Sequence, residues 1–537
     1  MLLAHDLFSS FPGILGLLDN RLLVLLVFKL SAEMVHYNRQ VQYRPVLMKR
    51  GFQGISGYNQ TLKGPRQQGF RYTAAPPISP AGFAPASFAP AQAIQAIQPS
   101  SLVKIAMVLL IVDVFCTFSR TLEFVPIKVG PVSLAVAIRC LIVICGVLSG
   151  GIFVLLESKI AKALLFFTAW MILGIPFSSW KGGSVDSLVH NWLPAIFAFV
   201  GGCTLIYSVG MVRRVVFTLA FSNLIILVLS RIYGGLEEST MRFGVGEGAL
   251  ANSNDLATLL LIGLPCMAFY IQDNKGRRWL LRFIMLAAIP VALNVISKTG
   301  SRTGLITIAV YAAMVLISAS GIKRVAIAIF LLIGGAIFFM TAPASTLSRY
   351  RTILPFMPPA AASDVLEESA AASSEARRQL LQQSMEMTIR NPIFGVGVGT
   401  FQSAAAKISK SKNEHESWHE SHNTYMQVAS ELGVPAFIAY MAAIWFSFRC
   451  LWQVRQQSRR NPDLLSLNRL ANYLLAVLIC YCISAFFSSV AYLPMFPFIA
   501  AIIDAFQRHA KDQILSRAPA PVPAVPQIFM GPPVLAR

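Results

Sequence analysis

The sequence predicts an all-α polytopic membrane protein of about 12 transmembrane helices, with a large extracytoplasmic loop containing short helices. Three observations carry this. The composition is 55% hydrophobic with a mean hydropathy of +0.61, too apolar for a soluble domain. Many windows reach the roughly 20 apolar residues that a helix needs to cross the hydrocarbon core, with few charges inside them. The basic residues recur in short clusters between these runs, a pattern that orients membrane helices. That placement also sets aside nucleic-acid binding, which the formal charge of +21 would otherwise suggest. All eight cysteines lie in or at the ends of apolar runs, with no disulfide framework and no Cys-x-x-Cys zinc pair.

Taken in order, residues 1–37 form an N-terminal apolar or amphipathic segment. Its leucine-rich run from Phe11 to Leu30 is interrupted by Asp19, Asn20 and Arg21, and it lacks the basic start and small-residue cleavage site of a signal peptide. Residues 38–100 shift to Gln, Gly, Pro, Ala and Ser with scattered Arg and Lys, a composition that buries too little apolar surface to order itself. This reads as a disordered basic linker or as a tether for anionic headgroups.

Apolar spans follow near 101–119, 132–155, 160–177, 188–209, 213–230, 255–272, 279–297, 304–320 and 324–342, the first nine helices of a segment 101–342. Spans near 434–450, 469–489 and 493–507 make three more within 434–510. Alternate connections carry Lys159 and Lys162, Arg213 and Arg214, Lys275 to Arg278, Lys323 and Arg324, Arg455 to Arg460, and Arg508 with Lys511. These face the cytoplasm by the positive-inside rule, as do both ends of the bundle and the Pro-rich tail 511–537.

The opposite, periplasmic face then receives the loop domain 343–433. In it, SSEARRQLLQQSMEMTIR reads as a helix that Asn391-Pro392 stops. A second short helix is expected from Ser421, capped by the Ser421 hydroxyl and broken at Gly433-Val434-Pro435. Three of the seven histidines, His415, His419 and His422, fall within this stretch. HESWH at 415–419 matches H-E-x-x-H, in which two histidines one turn apart bind zinc and the Glu activates water. Its flanks are polar, without the apolar face of a packed zinc helix, and this weighs against a peptidase. His422 stands where polar loop becomes interfacial helix, beside Asn423, and an imidazole there can take a proton from a hydroxyl.

Two arginines share that face, Arg302 in SKTGSRTG and Arg242 in TMRFGVGEGALANSND. A guanidinium stays charged and its planar fork matches phosphate oxygens, so the pair suits a pyrophosphate. The bland reading is headgroup anchoring. Arg139, inside the second span, reads as a structural partner of Asp113. The glycines of GVGVG lack the strand-to-helix setting of a nucleotide fingerprint and read as a flexible lid or a close helix approach.

Four blocks, ANSNDLATLLLIGLP at 251–265, SKTGSRTGLITI at 297–308, NPIFGVGVGTFQ at 391–402 and SHNTYMQVASELGVPAF at 421–437, resemble the O-antigen ligase and polymerase superfamily, over about residues 101–507. The resemblance implies an inverting transferase of the bacterial inner membrane that uses an undecaprenyl-diphosphate-linked glycan and requires no metal or nucleotide. It places the family's histidine on His422 and its arginines on Arg302 and Arg242, with Asn423 beside the substrate. His422 would serve as general base and the arginines would stabilise the diphosphate leaving group. Glu247 or another loop carboxylate is a candidate to orient the imidazole. The acceptor would be a lipid, a glycan or a protein, and ligase and polymerase share the blocks. A lipid-linked oligosaccharide transporter is the rival from another class. It predicts charged or broken helices in two repeats, which the sequence does not display.

Overall fold

The twelve apolar runs fall on helices, the run 132–155 on two (Leu134–Leu148 and Ile152–Glu157), in the computed structural model, which describes residues 101–517 except 125–127, 130–131, 238–241, 247, 274–278, 342–343, 352–363 and 412–419. The segment 1–37, the linker 38–100, Glu247, the HESWH motif and the tail beyond residue 517 therefore lie outside the described residues. The helices are α1 (Ser101–Ser119), α2 (Leu134–Leu148), α3 (Lys159–Gly174), α4 (Leu193–Leu205), α5 (Val209–Ile232), α6 (Ser253–Asp273), α7 (Trp279–Lys298), α8 (Arg302–Ser318) and α9 (Ile322–Thr341). The insertion contributes Ala344–Arg351, α10 (Asp364–Arg390) and α11 (Phe401–Ser411) before α12 (Thr424–Ser458), α13 (Leu465–Ala485) and α14 (Met495–Leu515). Among the described residues, eight helical stretches are long and apolar enough to cross a membrane, while α2 and α8 are apolar but shorter. A membrane protein of several spans is thus established in coarser form than the count of twelve.

Sheet is confined to two hairpins among the described residues, β1 (Lys128–Val129) with β2 (Val132–Ser133), and β3 (Gly234–Glu237) with β4 (Arg242–Val245). In the second, Glu237 stands opposite Arg242.

The bundle core is continuous. α12 packs along α3 and α13, α6 along α5 and α13, and α14 along α4. A short π-helical segment, Leu188–Trp192, leads into α4, where Pro194 has no N–H to give the regular ladder and the turn widens around it. Arg139 and Asp113 pair as expected, at 2.9 Å between α2 and α1, and Arg139 also donates to Thr117. A buried charge pair with added hydrogen bonds is tolerated at this depth, so the pair is structural. At the end of the bundle bearing the lysine and arginine clusters, Ser158 caps α3 and donates to Asp504 at 2.6 Å. Arg508 joins Asp504 to the Cys203 carbonyl, which ties α3, α4 and α14 together.

The start of α12 corrects one expectation. Asn423, not Ser421, caps it, the Asn423 Oδ1 accepting from Tyr425 N and Met426 N at 3.0 and 3.1 Å. The extended backbone of Asn423 aims its short amide at these free N–H groups, whereas the Ser421 hydroxyl donates to the Asn423 carbonyl instead. The break expected at Gly433-Val434-Pro435 is present: Gly433 takes non-helical backbone, so Thr424–Ser458 is two helices that meet at a kink there. Gly433 adopts φ 78°, and Val434 N donates to Pro392 O at 2.8 Å. α10 ends at Asn391-Pro392 as predicted, because a proline disfavours helical backbone in the residue before it.

Candidate functional site

Arg242 is fixed on β4 by two hydrogen bonds. Its Nε donates to Thr299 O at 2.9 Å and its Nη2 to Asn254 Oδ1 at 2.7 Å. Asn254 also accepts from the Ser301 hydroxyl, which in turn caps α8 by accepting from Gly304 N. Two of the sequence blocks, 251–265 and 297–308, are thereby stitched to the Arg242 hairpin at one end of the bundle, and Arg302 emerges as the first residue of α8. Two further arginines join them. Arg349, on Ala344–Arg351, passes its stem over Gly300, and the neighbouring Thr346 donates to Ser297 O. Arg377 projects from α10 into the cavity that Arg242 also lines.

The four guanidinium groups act on one another. Burial, reinforced by Arg349, Arg377 and Arg302 and opposed by Glu237, pushes Arg242 down to about 10. Burial, with Arg302 and Arg349 beside it, likewise pushes Arg377 down to about 10. Burial and then Arg349 lower Arg302 as well. All remain charged near neutrality. The arrangement is a concentrated positive field whose self-repulsion an anion would relieve.

His422 sits in the left-handed region at φ 49°, one of two non-glycine residues there among those described. Such backbone is costly for a residue with a side chain and persists only where its surroundings impose it. Here Ser489 Oγ accepts from His422 N at 2.9 Å and touches Ser421, while Thr424 bonds Ser488 O and accepts from Val490 N. The loop between α13 and α14 thus clamps the turn that presents the imidazole. Asn423 is buried and lines neither cavity described below; its side chain holds the start of α12.

Two cavities meet at His422. One, of about 920 Å³, is lined by Arg242, Arg377, Glu237, Tyr233 and Asn254. The other, of about 790 Å³, is lined by Trp180, Asp255, Glu420, Gln427 and Ser489. His422 and Asn252 belong to both. The GVGVG loop forms part of the second wall by close approach. Val396 N and Gly397 N donate to the carbonyls of Ser430 and Glu431, and the buried Glu431 carboxylate accepts from Gly399 N and Phe401 N.

Arg242, Arg302 and His422 are therefore gathered at one end of the bundle. The sequence reading missed Arg349 and Arg377. The available signal was compositional: arginines 349, 351, 377, 378 and 390 crowd an insertion assigned to the outer face, where the positive-inside rule expects few. Among the described residues no group of three or more His, Cys, Asp or Glu is placed to hold a metal ion.

Comparison with known proteins adds a family. Residues 291–441 match the family described as Wzy_C, O-antigen ligase. The matched stretch contains Arg302, Arg349, Arg377 and His422, and it leaves Arg242 outside. No curated protein matches the chain. Residues 291–441, where three of the four sequence blocks lie, are thus similar to the O-antigen ligase family, in a chain with eight helical stretches long and apolar enough to cross a membrane among its described residues.

Proposed function

We propose that the protein is a glycosyltransferase of the bacterial inner membrane that moves a glycan from an undecaprenyl-diphosphate-linked donor to an acceptor hydroxyl on the periplasmic face, in the manner of an O-antigen ligase. The observation that carries this reading is His422 on the wall shared by two cavities, one of them bearing arginines. The acceptor oxygen attacks the anomeric carbon as its proton passes to the His422 imidazole. The bond from that carbon to the diphosphate oxygen breaks, and polyprenyl diphosphate leaves with the electron pair, so the anomeric configuration inverts. Arg242, Arg302, Arg349 and Arg377 stabilise the charge that grows on the leaving oxygen, work that a metal ion does in other transferases. Ground-state binding alone would not accelerate transfer, so these contacts must tighten as the bond breaks. Asn423 contributes by holding the turn that presents His422.

The test is substitution at Arg302 with transfer measured on a polyprenyl-diphosphate donor. Arg302→Lys is expected to lose nearly as much as Arg302→Ala, on the order of 10²-fold, because an ammonium cannot reproduce the fork. Wild-type activity in Arg302→Lys would contradict diphosphate gripping. A repeat-unit polymerase uses the same donor and the same chemistry, and the chain length of the product separates it from a ligase.

A further inference from the structure

A third cavity, of about 640 Å³, lies at the other end of the bundle from His422, between the last turns of α6 and α8 and the first turns of α7, α9 and α13. Its charged lining is Arg282, Lys323 and Arg469, one from each of α7, α9 and α13, with no aspartate or glutamate among the described residues. None of the three makes an ion pair among the described residues. Asp273, next to Gln272 in the wall, pairs instead with Arg213 at 3.5 Å. Arg282 Nε donates to Ile271 O at 3.0 Å, which fixes this guanidinium against α6. Arg324, beside Lys323, has a different use: its Nε and Nη2 donate to Ala319 O at 3.0 and 2.7 Å and close the turn between α8 and α9. Asn468 and Asn472, bonded to each other at 3.1 Å, add amides to the same wall. Deeper along α8 and α9 the wall becomes apolar, with Tyr311, Met314, Val315 and Ile327.

A second observation comes from α9. It packs chiefly on α8, and none of its described residues is buried. Phe330 and Leu332 are 70% and 74% exposed, a surface suited to lipid chains. The chain therefore leaves a gap between α9 and α13 that opens toward the bilayer and has three cations at its end.

We propose that this cavity binds an anionic glycerophospholipid of the adjoining leaflet, the cytoplasmic one by the positive-inside rule, with its phosphodiester on Arg282, Lys323 and Arg469 and an acyl chain between α9 and α13. The inference does not depend on the transferase reading. Guanidinium forks match phosphate oxygens, and the volume falls within the roughly 300–1,000 Å³ of small-ligand sites. A zwitterionic headgroup brings its own cation to three like charges, so the site discriminates against it. Ordinary headgroup anchors are single side chains that reach outward from a helix end. Here three helices turn their cations onto one recess, and the lipid fastens α9 to the bundle.

The test is thermal unfolding of the full chain in neutral detergent, titrated with phosphatidylglycerol, phosphatidylcholine or sn-glycerol 3-phosphate. Phosphatidylglycerol is expected to raise the unfolding midpoint at concentrations at least tenfold below those at which the other two act. Equal stabilisation by phosphatidylcholine would overturn the proposal, and so would equal stabilisation by glycerol phosphate, which would make the site one for a soluble phosphate ester. Arg282→Gln with Arg469→Gln is expected to weaken the phosphatidylglycerol effect by roughly 30-fold, about fivefold per charge. Lys323→Gln, at an exposed turn that folding does not need, is expected to weaken it about fivefold on its own and keeps the test open if the double variant does not fold. Arg459→Gln, exposed at the same end but outside the cavity, is expected to respond as wild type. A full response in Lys323→Gln or in the folded double variant would assign the lipid to the arginines around Arg242 and overturn the proposal. An equal loss in Arg459→Gln would reduce the effect to net surface charge and overturn it as well.

Discussion

At the scale of single residues, two kinds of histidine have to be separated. His422 is held in left-handed backbone by Ser489 and lines both cavities, while His415 and His419 belong to the HESWH motif outside the described residues. The transferase account predicts that His415→Ala and His419→Ala retain most activity and that a chelator leaves transfer unaffected. A zinc peptidase requires the opposite on both counts, and loss of transfer on chelation would reopen that reading. His422 and Asn423 also show how far sequence carries at this scale. The motif placed a proton acceptor at 422, because histidine titrates near neutrality, but it could not reveal that the neighbouring amide is occupied with Tyr425 N and Met426 N. Capping depends on backbone conformation. Ser421 and Asn423 are both good cap residues, and only the fold selects between them.

At the scale of elements, the arginine cluster and the glycine loop make opposed predictions. Arg377 is pushed down to about 10 by burial, Arg302 and Arg349, so the folded chain binds this proton less readily than the unfolded one. Below that value the charge opposes folding, and the opposition is relieved only as pH rises through it. Arg377→Gln is accordingly expected to leave thermal stability unchanged or raised while lowering transfer. Inorganic pyrophosphate should stabilise the wild type, by about 2.7 kcal/mol at a hundredfold excess over its dissociation constant, and should stabilise the variant less. Both are read by thermal unfolding, and a destabilised Arg377→Gln that gains as much from pyrophosphate as wild type would contradict an anion site here. The glycine loop behaves in the ordinary way. Gly395 has φ 66°, and a Cβ there would run into the backbone of Glu431. Gly395→Ala should cost about 2 kcal/mol or more, through left-handed strain and a clash with main chain that cannot move aside. A thermal shift near zero would show that the loop is mobile rather than packed, which is the lid reading of these glycines. Sequence left lid and close approach open because GVGVG fits both, and the deciding contacts, with Ser178, Ser184, Ser187 and Glu431, come from elements remote in the chain.

At the scale of the whole molecule, the bundle brings together residues that the chain separates by up to 180 positions, Arg242 and His422, along the rim of one cavity. Helix positions were legible in the sequence because apolar runs of membrane length leave few alternatives. The convergence of Arg349 and Arg377 on the same cluster was not, since it depends on how α10 packs against Ala344–Arg351 and α12, and hydropathy carries no information on that. The division of the outer end into an arginine-bearing cavity and a carboxylate-bearing one was equally invisible, because each wall is assembled from five or more segments. The account uses His422 and the arginine-bearing cavity to move a glycan from a diphosphate to a hydroxyl. Its central claim is that His422 performs the proton transfer, and the most direct measurement is the size profile of surface and carrier-linked glycan in a deletion strain complemented with wild type or His422→Ala at matched expression. The account predicts that His422→Ala lowers transfer by about 10²-fold or more and leaves glycan on the polyprenyl carrier, as full-length chains for a ligase and as single repeat units for a polymerase. Restoration of the wild-type profile by His422→Ala would contradict it.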